Sequence, residues 1–288
     1  MALVAEKNNQ VAAVCLRVNP NIDAKTHKNI TTGIHNNKFG LAKVEFDQAL
    51  TLLEANENLE YCGLSCHIGS QIMQLEPIAA AANYMAKLYQ RLLKKGLVGR
   101  FIDMGGGIGV GYRHDEKCCF SFSEYASMLE KVIGPTGAEL IIEPGRIISA
   151  SAAKLLTEVI YCKEGSDKRF VICDAGMTEL ARPGLYQAYH HIQALKRKKE
   201  NERSVDKRID IVGPICESTD WLGRDRDIAG IESGDLLAID DCGAYCASMS
   251  SNYNSRPHVA EVLVHGSCYT IIRKPQSIES LWQGEAVL

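Results

Sequence analysis

With 288 residues, 46% of them hydrophobic and 23% charged, the chain can bury one large core or two ordinary ones, and its composition is that of a globular protein. A net charge of −3 gives no electrostatic footprint for nucleic acid or an anionic membrane, and no apolar run reaches the roughly eighteen residues of a membrane span. The eleven cysteines are odd in number and scattered, with no Cys-x-x-Cys, and Cys66-His67, Cys118-Cys119 and Cys242-x-x-x-Cys246 lack zinc-site spacing. Reduced thiols, no metal and a cytoplasmic location are expected, the more so because Met1 to Gln10 has no secretion-signal pattern.

The first predicted element is a β-prone run from Val11 to Val18, stopped by Asn19-Pro20. A polar loop with His27, Thr31, Thr32 and Gly33 leads to Lys38-Phe39-Gly40. Phe46, Ala49, Leu50 and Leu53 recur at helical spacing over Glu45 to Ala55. Leu59 to His67 reads as a strand, and Pro77 to Lys95 as a helix with Ile78, Ala81, Ala82, Met85, Leu88, Tyr89 and Leu92 on one face. A strand at Phe101, a helix from Ser123 to Ile133 capped by Ser123, and a strand from Glu139 to Glu143 complete a β/α alternation that argues for parallel units.

Near residue 150 the pattern changes. Val159 to Tyr161, Phe170 to Asp174, Ile209 to Val212, Asp235 to Ile239 and Glu261 to His265 read as short strands, with no comparable helical pattern after Ala194. The run Lys196-Arg197-Lys198-Lys199 is followed by Glu200, Glu202 and Asp206 and reads as a solvated loop. The expected architecture is α/β plus all-β: a partial (β/α) barrel over 1–149, then a mostly β domain of sandwich or barrel type over 150–288.

Polar clusters sit at the carboxyl ends of the first-half strands: Arg17-Val18-Asn19, His67-Ile68-Gly69-Ser70, Gly105 to Gly109, and Glu143-Pro144-Gly145-Arg146. In a (β/α) barrel those ends form the active-site rim. The glycine run can bring backbone N–H groups close to an anion, or serve as plain turn chemistry. Its spacing breaks the Gly-x-Gly-x-x-Gly pattern at Val110, and no Gly-Lys-Ser/Thr follows, so dinucleotide and nucleoside triphosphate loops are excluded. From residue type alone, His67 reads equally as a packed histidine, Cys216 as an inert buried thiol and Arg182 as a surface charge.

Taken together and in order, these pieces resemble the pyridoxal-phosphate decarboxylases of the alanine racemase-like fold, and within them the branch that acts on diaminopimelate. The likeness runs through Arg17-Val18-Asn19-Pro20, Thr32-Gly33, Lys38-Phe39-Gly40, His67 to Gln71, Gly105 to Gly109, Glu143 to Arg146, Arg182 to Tyr186, Cys216-Glu217-Ser218, Tyr245 and Tyr253 to Pro257. It implies pyridoxal 5'-phosphate as cofactor, with His67 stacked on its ring. Ser70, Gly105, Gly106, Gly107, Gly145, Arg146 and Tyr245 would grip its phosphate, and Glu143 would face its ring nitrogen. It assigns the far substrate carboxylate to Arg146, Arg182 and Tyr186, a further substrate contact to Tyr245, the distal amino group to Glu217, and proton delivery to Cys216. The implied substrate is a small amino diacid, meso-2,6-diaminopimelate, converted to L-lysine and CO2. The last two residues would reach the other subunit's site in a homodimer.

The resemblance also exposes two departures. Thr219 stands where the family run has glycine. The lysine that holds the cofactor aldehyde lies, in the family, in a Tyr-Ala-x-Lys-Ala-like strand, and none occurs here; Lys87, in Tyr84-Met85-Ala86-Lys87, falls in a helical pattern. Barrel strands one to four are therefore expected to be missing, Met1 to Asn8 to be the tail of a helix, and the chain alone to be inactive and poorly stable, with exposed sheet edges. Two alternatives remain open at this point. One is a decarboxylase of ornithine, arginine or carboxynorspermidine, against which Arg146 and Arg182 argue; the other is a lysine-less homologue that acts as a binding partner.

Overall fold

The computed structural model describes residues 1–23, 38–113, 115–195 and 208–286. The loop with His27, Thr31, Thr32 and Gly33, and the basic run at 196–199 with its acidic sequel, lie outside the described residues. The chain divides into two compact units, one of Met1–Gly111 with Asp115–Ile148 and one of Tyr112–His114 with Ser149–Leu288.

In the first unit a short helix α1 (Ala2–Lys7) precedes β1 (Ala12–Arg17), α2 (Lys43–Glu54), β2 (Leu59–Ser65), α3 (Leu75–Lys94), β3 (Phe101–Asp103), α4 (Phe122–Ile133) and β4 (Glu139–Ile141). The strands form one parallel sheet in the order β1-β2-β3-β4. Chain order equals sheet order because each helix returns the chain to start the next strand from the same end, the β/α rule read from the alternation. Helix α3 is amphipathic as its spacing predicts: Ile78, Ala81, Ala82, Met85, Leu88, Tyr89 and Leu92 are all buried, with Glu76 in its first turn and Arg91 and Lys94 in its last, where they complement the helix dipole. They pack with Leu64, Ile72, Ile102, Leu129 and Ile133 into one core.

Helix α4 starts earlier than its predicted cap. Ser121, not Ser123, is the N-cap: its hydroxyl accepts from the Glu124 N–H at 3.2 Å, while the Glu124 carboxylate accepts from the Ser121 N–H at 2.7 Å. That reciprocal box satisfies two end donors at once, which Ser123 cannot do from inside the first turn. β2 and β4 stop two residues before their predicted ends, at Ser65 and Ile141, and release His67 and Glu143 into the loops beyond the strand tips. β1 and β4 edge the sheet, and Leu140 on β4 and Ile142 just beyond it are 39% and 42% exposed, as a partial barrel requires.

The second unit is built on a six-stranded sheet in the order β7-β10-β5-β6-β8-β9, from β5 (Leu155–Glu164), β6 (Arg169–Cys173), β7 (Ile192–Ala194), β8 (Ile209–Val212), β9 (Trp221–Arg226) and β10 (Leu236–Ile239). All its pairs are antiparallel except β6 with β8. Val159, Val171, Ile211, Leu222, Leu237 and Ile239 make its core. A separate hairpin pairs β11 (Glu261–His265) with β12 (Cys268–Arg273) around Gly266, whose φ of +61° suits a two-residue turn. β7, β9 and β12 go beyond the strands expected from sequence.

Candidate active site

The tips of β1 to β4 point the same way because the strands are parallel, and the residues just beyond them interlock. The Cys66 N–H donates to the Asp103 carbonyl at 2.9 Å, Met104 to Ile141 at 3.0 Å, and Glu143 to Gly105 at 2.9 Å. These bonds extend the ladder past the last strand residue and place His67, the glycine turn and Glu143 side by side. Gly105 has φ +67°, and a Cβ there would meet the Cys66 carbonyl at 2.4 Å and His67 Nδ1 at 2.9 Å. A Cβ on Gly106 would lie 2.1 Å from the Glu143 carbonyl. No side chain fits between the neighbouring strand tips, which is the physical reason for glycine here.

Two of the turn's N–H groups are used inside the site. The Gly105 N–H donates to Asp103 Oδ1 at 2.8 Å and the Gly106 N–H to His67 Nδ1 at 3.2 Å. Burial lowers the His67 pKa below its ordinary 6.5, the Arg17 guanidinium lowers it further, and the Asp103 carboxylate opposes both. Burial also raises the Asp103 carboxyl, offset by its bond from Gly105 and added to by the charge of Glu143. The neighbouring Cys66 thiol is pushed up to about 12 by burial and is inert. Beyond β4, Arg146 is buried and its Nη2 donates to Ser70 Oγ at 2.9 Å, while Glu143 and Gly145 are exposed.

In the second unit, helix α5 (Arg182–Tyr186) sets Arg182 and Tyr186 four residues apart, on one helical face. Arg182 is buried, not a surface charge: its Nη1 lies 2.7 Å from His190 Nε2 and its guanidinium 4.4 Å over the Tyr112 ring. The His190 Nδ1 faces the Asp240 carbonyl at 2.8 Å, so Nδ1 carries the proton and Nε2 accepts from Arg182. A second cluster brings Cys216 and Glu217 against the 253–254 turn. The Tyr253 hydroxyl donates to Glu217 Oε1 at 2.7 Å, and Asn254 Nδ2 approaches Cys216 Sγ at 3.5 Å. Cys216 is exposed, so it is not a buried, inert thiol. The buried Asp220 holds this loop by accepting from the Ile215 and Met177 N–H groups, each at 2.6 Å. Tyr245 is 44% exposed in a left-handed turn, φ 58°.

Residues 1–150 match the family described as "Pyridoxal-dependent decarboxylase, pyridoxal binding domain". The diaminopimelate decarboxylase of Neisseria meningitidis is 44% identical over 282 residues, 98% of this chain and 68% of that protein, and that of Haemophilus influenzae is 41% identical over 286 residues, 99% and 68%. The chain belongs to the diaminopimelate decarboxylase family. Among solved structures, the Helicobacter pylori diaminopimelate decarboxylase complexed with L-lysine matches with a TM-score of 0.90 and 39% identity, over 98% of this chain and 69% of that one. The chain spans about two thirds of the length of the curated relatives it matches. An arginine decarboxylase of Paramecium bursaria Chlorella virus, at 18% identity and a TM-score of 0.75 over 88% of this chain and 67% of that one, shares the fold.

For a family member, the placement of the sequence-derived residues is instructive. His67, Ser70, Gly105, Gly106, Gly107, Glu143, Gly145 and Arg146 gather at one sheet end of the first unit; Arg182, Tyr186, Cys216, Glu217 and Tyr245 lie in the second. The departure at Thr219 costs nothing in backbone strain, since its φ is not positive and the loop does not require glycine there. Asp103, Tyr253 and His190 had no role in the sequence reading. For Asp103 a signal existed: an aspartate two residues before a turn glycine commonly caps that turn's N–H. His190 and Tyr253 carry no local signal, because what makes them matter is a partner 8 and 36 residues away.

Proposed function

We propose that this chain serves the decarboxylation of meso-2,6-diaminopimelate to L-lysine and CO2 with pyridoxal 5'-phosphate as cofactor. The observation that carries the reading is the convergence of His67, the Gly105 to Gly107 turn, Glu143 and the Ser70–Arg146 pair beyond the tips of one parallel sheet. The donor set fits the group. A buried guanidinium bonded to a serine hydroxyl suits a phosphate, a flat imidazole suits an aromatic ring, and an exposed carboxylate one strand away suits a protonated ring nitrogen. Gly107 leaves its N–H without a protein acceptor among the described residues, which suits the same phosphate.

The cofactor, when bound, supplies a protonated ring that takes up the electron pair left by the departing carboxylate. The chain's own residues do the rest. Glu143 holds the proton on the ring nitrogen, and His67 packs on the ring face. Arg182 and Tyr186, with Arg146, orient the distal carboxylate; Glu217, oriented by the Tyr253 hydroxyl, accepts from the distal ammonium group. Cys216 returns a proton to the carbon that lost CO2. The last two act across the interface of a homodimer, as the resemblance implies, and cytoplasmic synthesis of an amino acid agrees with eleven free thiols.

Measuring CO2 release with the cofactor and a lysine-bearing Tyr-Ala-x-Lys-Ala-like strand supplied tests this: release from meso-diaminopimelate, and not from ornithine, arginine or carboxynorspermidine, is the expected result. Release from a diamine precursor instead overturns the substrate assignment.

A further inference from the structure

We infer that Asp103 is a positioning residue for His67: by capping the glycine turn it holds the Gly106 amide against Nδ1, and so fixes the imidazole as the neutral ring with its proton on Nε2. This rests on the reading that His67 packs on the cofactor, but its own terms concern only atoms of the chain. An amide N–H can approach Nδ1 at 3.2 Å only if that nitrogen offers a lone pair; a protonated Nδ1 would set hydrogen against hydrogen. The neutral ring must then carry its proton on the other nitrogen.

The amide is aimed by the turn, and the turn is fixed from both sides. Asp103, the last residue of β3, accepts the Gly105 N–H through Oδ1 at 2.8 Å, and the Gly105 carbonyl accepts the Glu143 N–H at 2.9 Å. The ring lies close against the turn on its Nδ1 side, where a Cβ on Gly105 would come within 2.9 Å of Nδ1. Among the described residues, the charged and titratable groups around this pair include Arg17 at the end of β1, Glu143 beyond β4, the thiols of Cys15 and Cys66, and the Tyr125 phenol of α4.

Asp103 therefore acts on His67 in two opposed ways. Its charge favours the imidazolium, whereas its bond to the turn favours the neutral ring. The opposition makes the two separable. In cofactor-free protein, nitrogen-15 NMR of the histidine side chains, with His67 assigned by its loss in His67→Gln, reads both tautomer and pKa. The wild type is expected to show an unprotonated Nδ1 and a protonated Nε2 at neutral pH. Asp103→Ala, which removes the acceptor, is expected to give a mixture of tautomers. Asp103→Asn, which keeps an oxygen acceptor without charge, is expected to retain the single tautomer. A wild-type proton on Nδ1 would overturn the inference. So would a lone downward shift with unchanged tautomer in Asp103→Ala, or a change of tautomer in Asp103→Asn, which also decides the matter should the alanine variant not fold. These readouts need no cofactor, so failure of cofactor binding would sink the functional proposal while leaving this result to stand or fall separately.

Discussion

The two clusters of candidate site residues, one in each unit, are built by different means. Beyond the tips of β1 to β4, backbone groups meet backbone groups: the Glu143 and Gly105 peptides bond directly, and glycines are present because no Cβ fits. Around Cys216 and Glu217 the contacts run through exposed side chains, Tyr253 to Glu217 and Asn254 to Cys216. In the first region site and fold are the same atoms, so a substitution there disturbs both. In the second the loop is held separately, by the buried Asp220, and its functional side chains are free to change without cost to the fold.

The sharpest way to break this contrast is Cys216→Ala. With the lysine-bearing strand supplied, the rate of CO2 release from meso-diaminopimelate is expected to fall by about 10²- to 10⁴-fold, the usual worth of a positioned proton donor, while unfolding free energy changes by less than about 0.5 kcal/mol. A matching loss of stability in urea titration would erase the distinction. Gly106→Ala is the converse. Its Cβ, 2.1 Å from a backbone carbonyl that cannot rotate away, is expected to cost about 3 kcal/mol of stability and to abolish cofactor binding. A variant as stable as the wild type would show that the strand tips are not crowded.

The pH dependence of the first region sharpens the comparison. The folded pKa of His67 lies below its ordinary 6.5, so its contribution is complete above that value and is lost as pH falls through the folded value. The folded pKa of Asp103 is raised by burial, so its contribution is present below its ordinary 3.8 and lost as pH rises through the folded value. At pH 7 the Asp103 charge is thus a net cost. Asp103→Asn is expected to melt higher than wild type at pH 7, with the difference disappearing below pH 3.8; calorimetry at the two pH values checks it. The smallest expected effect is in the second region. Tyr253→Phe removes one hydrogen bond to an exposed carboxylate and is expected to weaken substrate use by roughly two- to tenfold, read as kcat/KM, with no change in melting temperature.

How much of this was legible in the sequence follows the same division. The parallel sheet was readable because α2, α3 and α4 repeat apolar residues at helical spacing between short apolar strands, and the tips followed from the strand ends. The predicted ends of β2 and β4 ran long because His67 and Glu143 still belong to the hydrogen-bond ladder, though no longer to the strands. In the second unit β9 was hidden: Trp221-Leu-Gly-Arg-Asp-Arg holds a glycine and three charges, and it is a strand because β8 supplies its pairing through two irregularities of register. β7, at three residues, is too short to show a period. β12 did leave a trace, since Tyr269 to Ile272 is β-prone and follows a Gly266-Ser267 turn. Asp103, two residues before Gly105, signals a capped turn in the sequence, but which amide that turn aims at His67 is a property of the folded chain.

The most direct test of the account is a titration of the nitrogen-15-labelled chain with pyridoxal 5'-phosphate, following backbone and histidine resonances. Saturable shifts at Gly106, Gly107, His67 and Arg146, with the β11–β12 hairpin unmoved, are the predicted result. Saturation with those resonances in place, or shifts centred on the hairpin, would contradict a cofactor site at the strand tips.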